Sequence, residues 1–381
     1  MKSLLKKLKP LEIKAKKTLV GVISFFLKRS LKKIEKPDFA RPLKLLFVRH
    51  ERIGDTFISF PIIDLLKKKY QTWEFYWVTS PRSYDLVIED PRFSQVFLYT
   101  KKPVRDRKTL RRARKIKFDI AIDLINGDSV SAMMLTHLLA PKAFKIGMGK
   151  CDHAGFYNIN MEHPYSFSNR HILESTLELV THLGVDPSEA ERFCPPYISE
   201  PKKKNIAEFF HSVHESVNGC PLIGVNICSG ETTRLWGSDN FREMITRLMD
   251  QYPDPRFIVI ADPGSYDAGI ELANSFNDRV FIPPKPMDIC SVAELISRLS
   301  LLITADTSLL HFARSYRIPI VGLYLARKID IWFPYAQRSG IVESDSENSV
   351  SSITVDQIVD KVGAIGDEFK IPGLVTCPTR N

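Results

Sequence analysis

The chain has 381 residues, which is more than one ordinary domain needs and predicts two globular lobes. Hydrophobic residues make up 44% and charged residues 26%, a composition that excludes disordered and fibrous proteins. The six cysteines are widely scattered without a C-x-x-C pair, which excludes a zinc ribbon, a thioredoxin-type motif and a small disulfide scaffold. We expect all six thiols to be buried.

The positive charge of the chain lies in its first 36 residues. Residues 1–36 contain twelve Lys or Arg and two Glu, so they carry the whole formal net charge of +10. After Pro10, apolar side chains recur at helical spacing at Leu11, Ala15, Leu19, Val22 and Phe26. We therefore predict a basic amphipathic helix within an N-terminal arm, residues 1–40.

This arm is too short to cross a bilayer but suits an anionic membrane surface. Its longest uncharged stretch, Thr18 to Leu27, is about half the length that a bilayer span requires. We predict that residues 1–36 bind anionic lipids; the alternative is a tail whose apolar stripe docks on the rest of the protein. Nucleic acid is not an expected partner, because the arm lacks interleaved aromatic residues and the rest of the chain has no net charge.

From Leu43 onward, short apolar runs alternate with helical patterns. The first series predicts strands at Leu43–Val48, Phe75–Val78, Val96–Tyr99 and Ile120–Leu124, and helices at Asp55–Tyr70, Ser129–Leu139 and His171–Leu183. The second predicts strands at Leu222–Asn226, Phe257–Ala261, Leu301–Thr304 and Ile320–Tyr324, and helices at Asp239–Gln251, from a Ser291–Glu294 capping box to Leu299, and at Leu309–Arg317. This alternation indicates an α/β fold of two doubly wound, Rossmann-like lobes with parallel sheets.

The same pattern divides the chain. We expect a first lobe at 41–190 and a second lobe at 221–345, followed by a C-terminal helix and tail at 346–381. Residues 191–220 are the predicted linker, because prolines and a run of three lysines interrupt the alternation there. In such lobes, ligands bind where loops leave the carboxyl ends of the strands.

The first of these loops, between Val48 and Asp55, opens a helix. Gly54 permits a tight turn, and Asp55 sits at the helix start, where the helix dipole stabilises a carboxylate. Asp55 is therefore a candidate functional carboxylate. The alternative is that it only caps the helix.

Two loops of the second lobe have the chemistry of an anion site. Ser229, Gly230 and Arg234 supply a hydroxyl, a glycine backbone and a guanidinium suited to phosphate oxygens, without the spacing of a Walker A loop. Further along, free N–H groups open another helix. They are surrounded by Asp306, Thr307 and Ser308, with His311 one turn inside. The alternatives are an ordinary surface loop and a structural histidine.

Four blocks in order carry a resemblance to a known family. They are Arg52-Ile53-Gly54-Asp55 with Pro61, Asp119–Leu124 with Ile146-Gly147, Arg234 and Trp236 with Phe241, and Asp306-Thr307-Ser308 with His311, Ala313 and Pro319. Together they resemble the motifs of glycosyltransferase family 9, the ADP-heptose:lipopolysaccharide heptosyltransferases of Gram-negative bacteria. Arg234 stands where that family commonly has Lys, and Ser308 where it has Gly.

The resemblance implies a GT-B fold, with the acceptor-binding lobe first, the nucleotide-sugar-binding lobe second and a cleft between them. It implies an inverting transfer of heptose from ADP-heptose to a lipopolysaccharide inner-core acceptor, with no metal and no other cofactor. Asp55 is then the general base, while Arg234 and the helix start at Thr307 and Ser308 stabilise the departing diphosphate. The resemblance further implies a diphosphate pocket completed by Ser229, Gly230, Asp306 and His311, and a ribose contact at Asp267.

The location that the resemblance implies is cytoplasmic, on the inner face of the inner membrane. Two alternatives stay open. One is the same machinery acting with another sugar nucleotide on a different surface glycan. The other is a catalytically silent module that keeps both lobes and binds a glycan or a membrane.

A second basic cluster lies inside the first lobe. Residues 101–117 contain ten basic residues and one acid, Asp106. Because this lobe is expected to receive the acceptor, we predict that Arg52, Arg111, Arg112 and Arg114 help to hold an anionic acceptor or its membrane. The alternative is a solvated helix face.

Overall fold

The structure of the chain is a computed structural model, and it describes residues 34–162, 170–213, 219–326 and 331–375. The amphipathic helix expected in the arm therefore lies outside the described residues. The described chain divides into two compact units. The first comprises residues before position 168 together with Ser175–Glu189, and the second comprises those of 168–174 together with those from Ala190 onward.

The first unit is built on a six-stranded parallel sheet. Its elements in chain order are β1 (Lys44–Val48), α1 (Ile53–Phe57), α2 (Phe60–Lys69), β2 (Glu74–Thr79), α3 (Tyr84–Val87), β3 (Gln95–Leu98), α4 (Pro103–Arg114), β4 (Ile120–Asp123), α5 (Val130–Leu139), β5 (Phe144–Met148) and β6 (Ile159–Met161). The strand order is β3-β2-β1-β4-β5-β6, and all neighbouring strands run parallel.

The second unit repeats this design. After α6 (Ile172–Leu177) come α7 (Glu200–Ser212), β7 (Leu222–Asn226), α8 (Ser238–Gln251), β8 (Arg256–Ile260), α9 (Tyr266–Asn274), β9 (Val280–Phe281), α10 (Ile289–Ile296), β10 (Leu301–Ala305), α11 (Leu309–Ser315), β11 (Ile320–Tyr324), β12 (Ile341–Glu343) and α12 (Val355–Phe369). The order is β12-β11-β10-β7-β8-β9, again all parallel.

Both sheets therefore follow the same doubly wound strand order, and the α/β fold class expected from the sequence is confirmed. Their central strands are apolar runs buried on both faces, such as Leu45–Val48 in β1 and Leu301–Ala305 in β10. In each sheet the order in which strands are added switches sides at the first strand, so that β4 lies on the side of β1 opposite β2, and β10 on the side of β7 opposite β8, with all strands parallel. These switch points are where a doubly wound sheet opens a crevice for a ligand.

The structure differs from the predicted elements in local ways. The helix expected over Asp55–Tyr70 is two helices, because Pro61 has no N–H to continue the first one and instead lies in the first turn of α2. The expected cap at Ser291 is wrong: Asp288 caps α10, accepting from the backbone N–H groups of Cys290 and Ser291 at 3.0 and 3.1 Å. Of the thiols expected to be buried, those of Cys194 and Cys290 are buried, those of Cys220 and Cys228 are half-buried and that of Cys151 is exposed. Cys377 lies outside the described residues.

The segment expected as a linker contains a helix. α7 occupies Glu200–Ser212 and buries Ile206 and Phe209, while its lysines at 203 and 204 pair with acids of the same helix. Lys203 and Lys204 thus lie on the outer face of an amphipathic helix, whereas Lys202 pairs with Asp288 at 3.4 Å. Within the described residues, no helix combines the length and the apolar character that a bilayer crossing requires.

Candidate active site

Asp55 lies beside the switch point of the first sheet. It is in the first turn of α1, which follows the carboxyl end of β1. Its side chain is 16% exposed, and Oδ1 lies 2.9 Å from Nη2 of Arg49, a side chain only 1% exposed. The carboxylate therefore combines access to solvent with a buried cationic partner.

Arg49 connects this carboxylate to the sheet. Its backbone N–H donates to the carbonyl of Val78 at 3.1 Å and so continues the pairing of β1 with β2. Its Nη1 donates to the carbonyl of Leu124, the residue after β4. The remaining donor, Nε, is buried and makes no hydrogen bond to a described residue. The guanidinium thus spans from the end of β4 to the start of α1.

A second buried ion pair lies at the end of β4. Lys150 Nζ is 3.0 Å from Asp123 Oδ2, and both side chains are at most 1% exposed. Tyr157 donates its hydroxyl to the same oxygen at 2.5 Å, and the N–H of Ile125 donates to Oδ1 at 3.0 Å. Burial, with the neighbouring Asp123 charge, raises the pKa of Tyr157 well above its usual value. The loop after β5 is thereby tied to the switch point.

Two titratable residues follow Arg49 directly. Burial, with the positive charges of Lys101, Lys150 and Arg49, lowers the pKa of His50 to about 4. Burial raises the pKa of Glu51, assisted by the charges of Asp55 and Asp123 and opposed by those of Arg49 and Lys101. The first site therefore contains a neutral imidazole at pH 7 and a half-buried carboxyl next to the candidate base.

In the second unit, the structure brings Arg234 and Asp306 together. Arg234 lies in a turn after β7, and Asp306 follows β10 across the switch point. Nη2 lies 3.0 Å from Asp306 Oδ2, and Nη1 donates to the Asp306 carbonyl at 2.6 Å. Nε is 3.7 Å from Glu231 Oε2. The Arg234 side chain is 23% exposed, so an incoming anion would meet a guanidinium already paired with carboxylates.

Hydroxyl groups line the end of β10 beside this pair. Buried Asn226 donates to Thr304 Oγ1 at 2.8 Å, and Thr304 lies 3.2 Å from Thr307 Oγ1. Ser308 precedes α11 with φ −60°, a conformation that does not require glycine, and its side chain makes no cap hydrogen bond. His311 lies edge-on to Trp332 with ring centroids 6.0 Å apart.

The other residues expected at the donor site are more open. The Ser229 hydroxyl accepts the N–H of Glu231 at 3.2 Å, which shapes the loop after β7. A Cβ added to Gly230 would meet no atom within 4 Å. Asp267 is exposed in the first turn of α9, which follows β8. Within the described residues, no three His, Cys, Asp or Glu side chains converge as a metal site requires.

The basic cluster of the first unit is an exposed helical surface. Arg111, Arg112 and Arg114 lie in the last turn of α4 and are exposed, as is Arg52 at the start of α1. The acid of the cluster is turned inward: buried Asp106 accepts from the N–H groups of Thr100 and Lys102, both at 3.0 Å. It therefore does not neutralise the outer face of α4.

Sequence reasoning missed Arg49, Lys150 and Tyr157. A signal for Arg49 was available, since it is the first charged residue after an apolar strand and precedes Asp55 by six positions. No local signal points to Lys150, because its partner Asp123 belongs to another strand and the pairing depends on β4 lying next to β5.

Solved structures share this architecture. A glycosyl transferase family 9 structure from Veillonella parvula has a TM-score of 0.71 at 18% identity, covering 88% of this chain and 100% of that chain. Escherichia coli heptosyltransferase WaaC with ADP has a TM-score of 0.66 at 17% identity, covering 86% and 98% of the two chains. The two doubly wound units, with their polar switch points, thus have the fold of the GT-B glycosyltransferases.

The sequence assigns the family. Residues 106–358 match glycosyltransferase family 9 (heptosyltransferase). A lipopolysaccharide core heptosyltransferase, OpsX of Haemophilus influenzae, is 20% identical over 317 residues, covering 81% of this chain and 86% of that protein. The chain belongs to glycosyltransferase family 9 and is a glycosyltransferase.

Proposed function

We propose that this glycosyltransferase transfers heptose from ADP-heptose to an anionic acceptor in the inner core of lipopolysaccharide. The family and the similarity to OpsX of Haemophilus influenzae, a lipopolysaccharide core heptosyltransferase, support the substrate class. The observation that carries the proposal is chemical: one switch point presents a carboxylate held by a buried guanidinium, and the other presents a guanidinium that is 23% exposed and paired with Asp306. A base and an anion site are the two elements that glycosyl transfer from a nucleotide sugar requires.

In the proposed reaction, an acceptor hydroxyl attacks the anomeric carbon of the heptose. The hydroxyl proton passes to Asp55, the bond from the anomeric carbon to the diphosphate oxygen breaks, and its electron pair leaves with ADP. A single displacement of this kind inverts the anomeric configuration. The positive charge opposing the leaving diphosphate comes from Arg234, so the proposed mechanism assigns no role to a metal.

The donor residues are proposed on position and chemistry. Ser229, Thr307 and Ser308 offer hydroxyls, and Gly230 offers an open backbone, near the ends of β7 and β10. Asp306 and His311 complete this pocket, and Asp267 is proposed as the ribose contact from the neighbouring α9. Arg234 must exchange part of its pairing with Asp306 for a phosphate oxygen when the donor binds.

The proposed acceptor contacts are Arg52, Arg111, Arg112 and Arg114. Their support is that all four are exposed and that the acid of the basic cluster is turned away from the surface. An acceptor rich in carboxylates and phosphates would offset the mutual repulsion of these charges. Acceptor binding is therefore proposed to be strongly salt-dependent.

We further propose that the protein works at the cytoplasmic face of the inner membrane, bound through residues 1–36. The support is the +10 charge of that segment and its apolar stripe at helical spacing. Deletion of residues 1–36 should release the protein from vesicles containing anionic lipid in a sedimentation assay, while turnover with a soluble acceptor is kept. Vesicle binding that survives the deletion in full would contradict this role.

One experiment tests the donor assignment. A thermal-unfolding panel of ADP, UDP, GDP and their sugars should show selective stabilisation by ADP and ADP-heptose, because a ligand bound only to the native state raises stability. A matching assay should show ADP release from ADP-heptose that requires a de-acylated inner-core acceptor. Stabilisation by a different nucleotide would redirect the proposal to another sugar donor, and absence of turnover despite ADP binding would contradict transfer to this acceptor.

A further inference from the structure

We propose that Arg49 is a positioning residue that fixes the Asp55 carboxylate for proton transfer. This inference rests on the function proposed above, in which Asp55 is the base. The Arg49 side chain is 1% exposed, and its Nη2 lies 2.9 Å from Asp55 Oδ1. This ion pair holds Oδ1 of the carboxylate on a buried, anchored guanidinium, so Arg49 fixes how the carboxylate is oriented.

The anchoring of Arg49 makes it a rigid partner. Its backbone is paired to Val78, and its Nη1 donates to the carbonyl of Leu124. A planar guanidinium fixed at one nitrogen can aim its second terminal nitrogen in few directions. Oδ1 of Asp55 is therefore engaged before substrate arrives, which leaves Oδ2 as the oxygen that receives the acceptor proton.

Lysine cannot reproduce this geometry. An ammonium carries its three donors on a single nitrogen at the end of a flexible stem, so it cannot keep the two separate, coplanar nitrogen positions from which Arg49 contacts Leu124 and Asp55. Arg49→Lys keeps the positive charge but loses the orientation of the carboxylate. Because general-base catalysis depends on a positioned group, the effect should fall on kcat and leave both KM values nearly unchanged.

The test is a double-mutant cycle in turnover. With ADP-heptose and a de-acylated inner-core acceptor, Arg49→Lys should lower kcat at least tenfold with both KM values within about twofold. In the Asp55→Asn background, the same change should have almost no further effect, because the group that Arg49 positions is already gone. A normal kcat in Arg49→Lys, or a full multiplicative loss in the double variant, would overturn the inference. If Asp55→Asn itself retains normal turnover, the general base has been misassigned and the proposed function fails instead.

A second measurement needs no substrate. Arg49→Gln and Asp55→Asn should each lower the unfolding temperature, since each leaves one charge of the pair without its partner. The double variant should recover part of the combined loss; strictly additive losses would show that the two residues do not interact. Arg92→Lys is the matched control, because Arg92 is also a largely buried arginine of the first unit, paired with Asp90 at 2.5 Å and Asp64 at 3.0 Å. It should lower the unfolding temperature and leave kcat unchanged.

Discussion

The two units share one strand order but hold the charged side chains of their candidate sites differently. In the first unit, Arg49, Asp123 and Lys150 are buried, and the pairs at 2.9 and 3.0 Å are closed off from solvent except on one side of Asp55. In the second, the Arg234 and Asp306 side chains are 23% and 31% exposed. Buried pairs are costly to break and hold their geometry, whereas half-exposed pairs exchange partners easily. The comparison teaches that burial fixes the ion pairs of the first unit in place, whereas partial exposure leaves the pair of the second unit open to an exchange of partners.

The largest effect on turnover should come from changing Asp55 in the first unit. Asp55→Asn should lower turnover roughly 10²–10⁴-fold, the usual range for loss of a general base, while ADP affinity measured by calorimetry stays unchanged. It should also reduce the free energy of unfolding by about 1.5–3 kcal/mol, because buried Arg49 loses its charged partner. The control Asp64→Asn, which removes another arginine partner of the first unit, should leave turnover intact. Turnover near normal in Asp55→Asn would reduce this residue to a helix cap.

Changing Arg234 in the second unit should have a smaller effect, and that effect should fall on ADP affinity. Arg234→Ala should weaken ADP binding about 10- to 100-fold, the loss expected for one or two charge-assisted hydrogen bonds. Arg234→Lys should recover part of that affinity, since charge is kept without the fork geometry. Arg242→Ala is the control, because Arg242 also pairs with two carboxylates, Asp239 and Glu271, but lies on the outer surface of α8. If both Arg234 variants bind ADP as tightly as the unmodified protein and the Arg242→Ala control do, the loop after β7 has been misinterpreted.

Acid should weaken the first unit more than the second. Burial lowers the pKa of His50 and of His137 to about 4, and in the second unit that of His171 to about 3. These values lie below the unfolded value of about 6.5. As the pH falls from the unfolded pKa toward the folded pKa, these histidines are protonated in the unfolded chain but stay neutral in the folded chain. The contribution of these neutral histidines to the free energy of unfolding is complete above about pH 6.5. It declines as the pH falls toward 4, and at pH 5 the loss is about 1–2 kcal/mol per histidine.

Denaturant unfolding at pH 7.5 and pH 5 measures this decline. His137→Gln should flatten the dependence by one histidine, because an amide can still donate to the Phe156 carbonyl that His137 contacts at 2.9 Å. An unchanged pH dependence in the variant would rule out His137 as a source of the acid sensitivity.

The smallest effect is expected at the exposed helix α4. Changing Arg111, Arg112 and Arg114 together to Gln should raise the acceptor KM severalfold at low salt and remove most of its salt dependence. The donor KM should change little, since Arg234 is untouched. An acceptor KM that keeps its salt response in the triple variant would leave this helix as a solvated surface.

The sequence by itself determined the repeated α/β pattern and located the loops that carry most of the candidate site residues. Strands such as Leu222–Asn226 and Ile320–Tyr324 match their predicted bounds, because a short apolar run between turn residues is a local signal. Two helix starts were predicted wrongly, since Pro61 lies in the first turn of a separate helix α2 and Asp288 rather than Ser291 caps α10. The order of the motifs was sufficient to indicate the family, because each motif is contiguous in the chain.

Only the tertiary structure decided which charges meet. Arg49 contacts the residue after β4 because β1 and β4 are neighbours, and Arg234 reaches Asp306 because β7 lies beside β10. These neighbours are distant along the chain and are set by the strand order 3-2-1-4-5-6, which no short sequence pattern encodes. The energy of an ion pair depends on its distance and burial, and both are properties of the packed sheet. The loops could therefore be located from sequence, while the pairing that turns Asp55 into a positioned carboxylate could not.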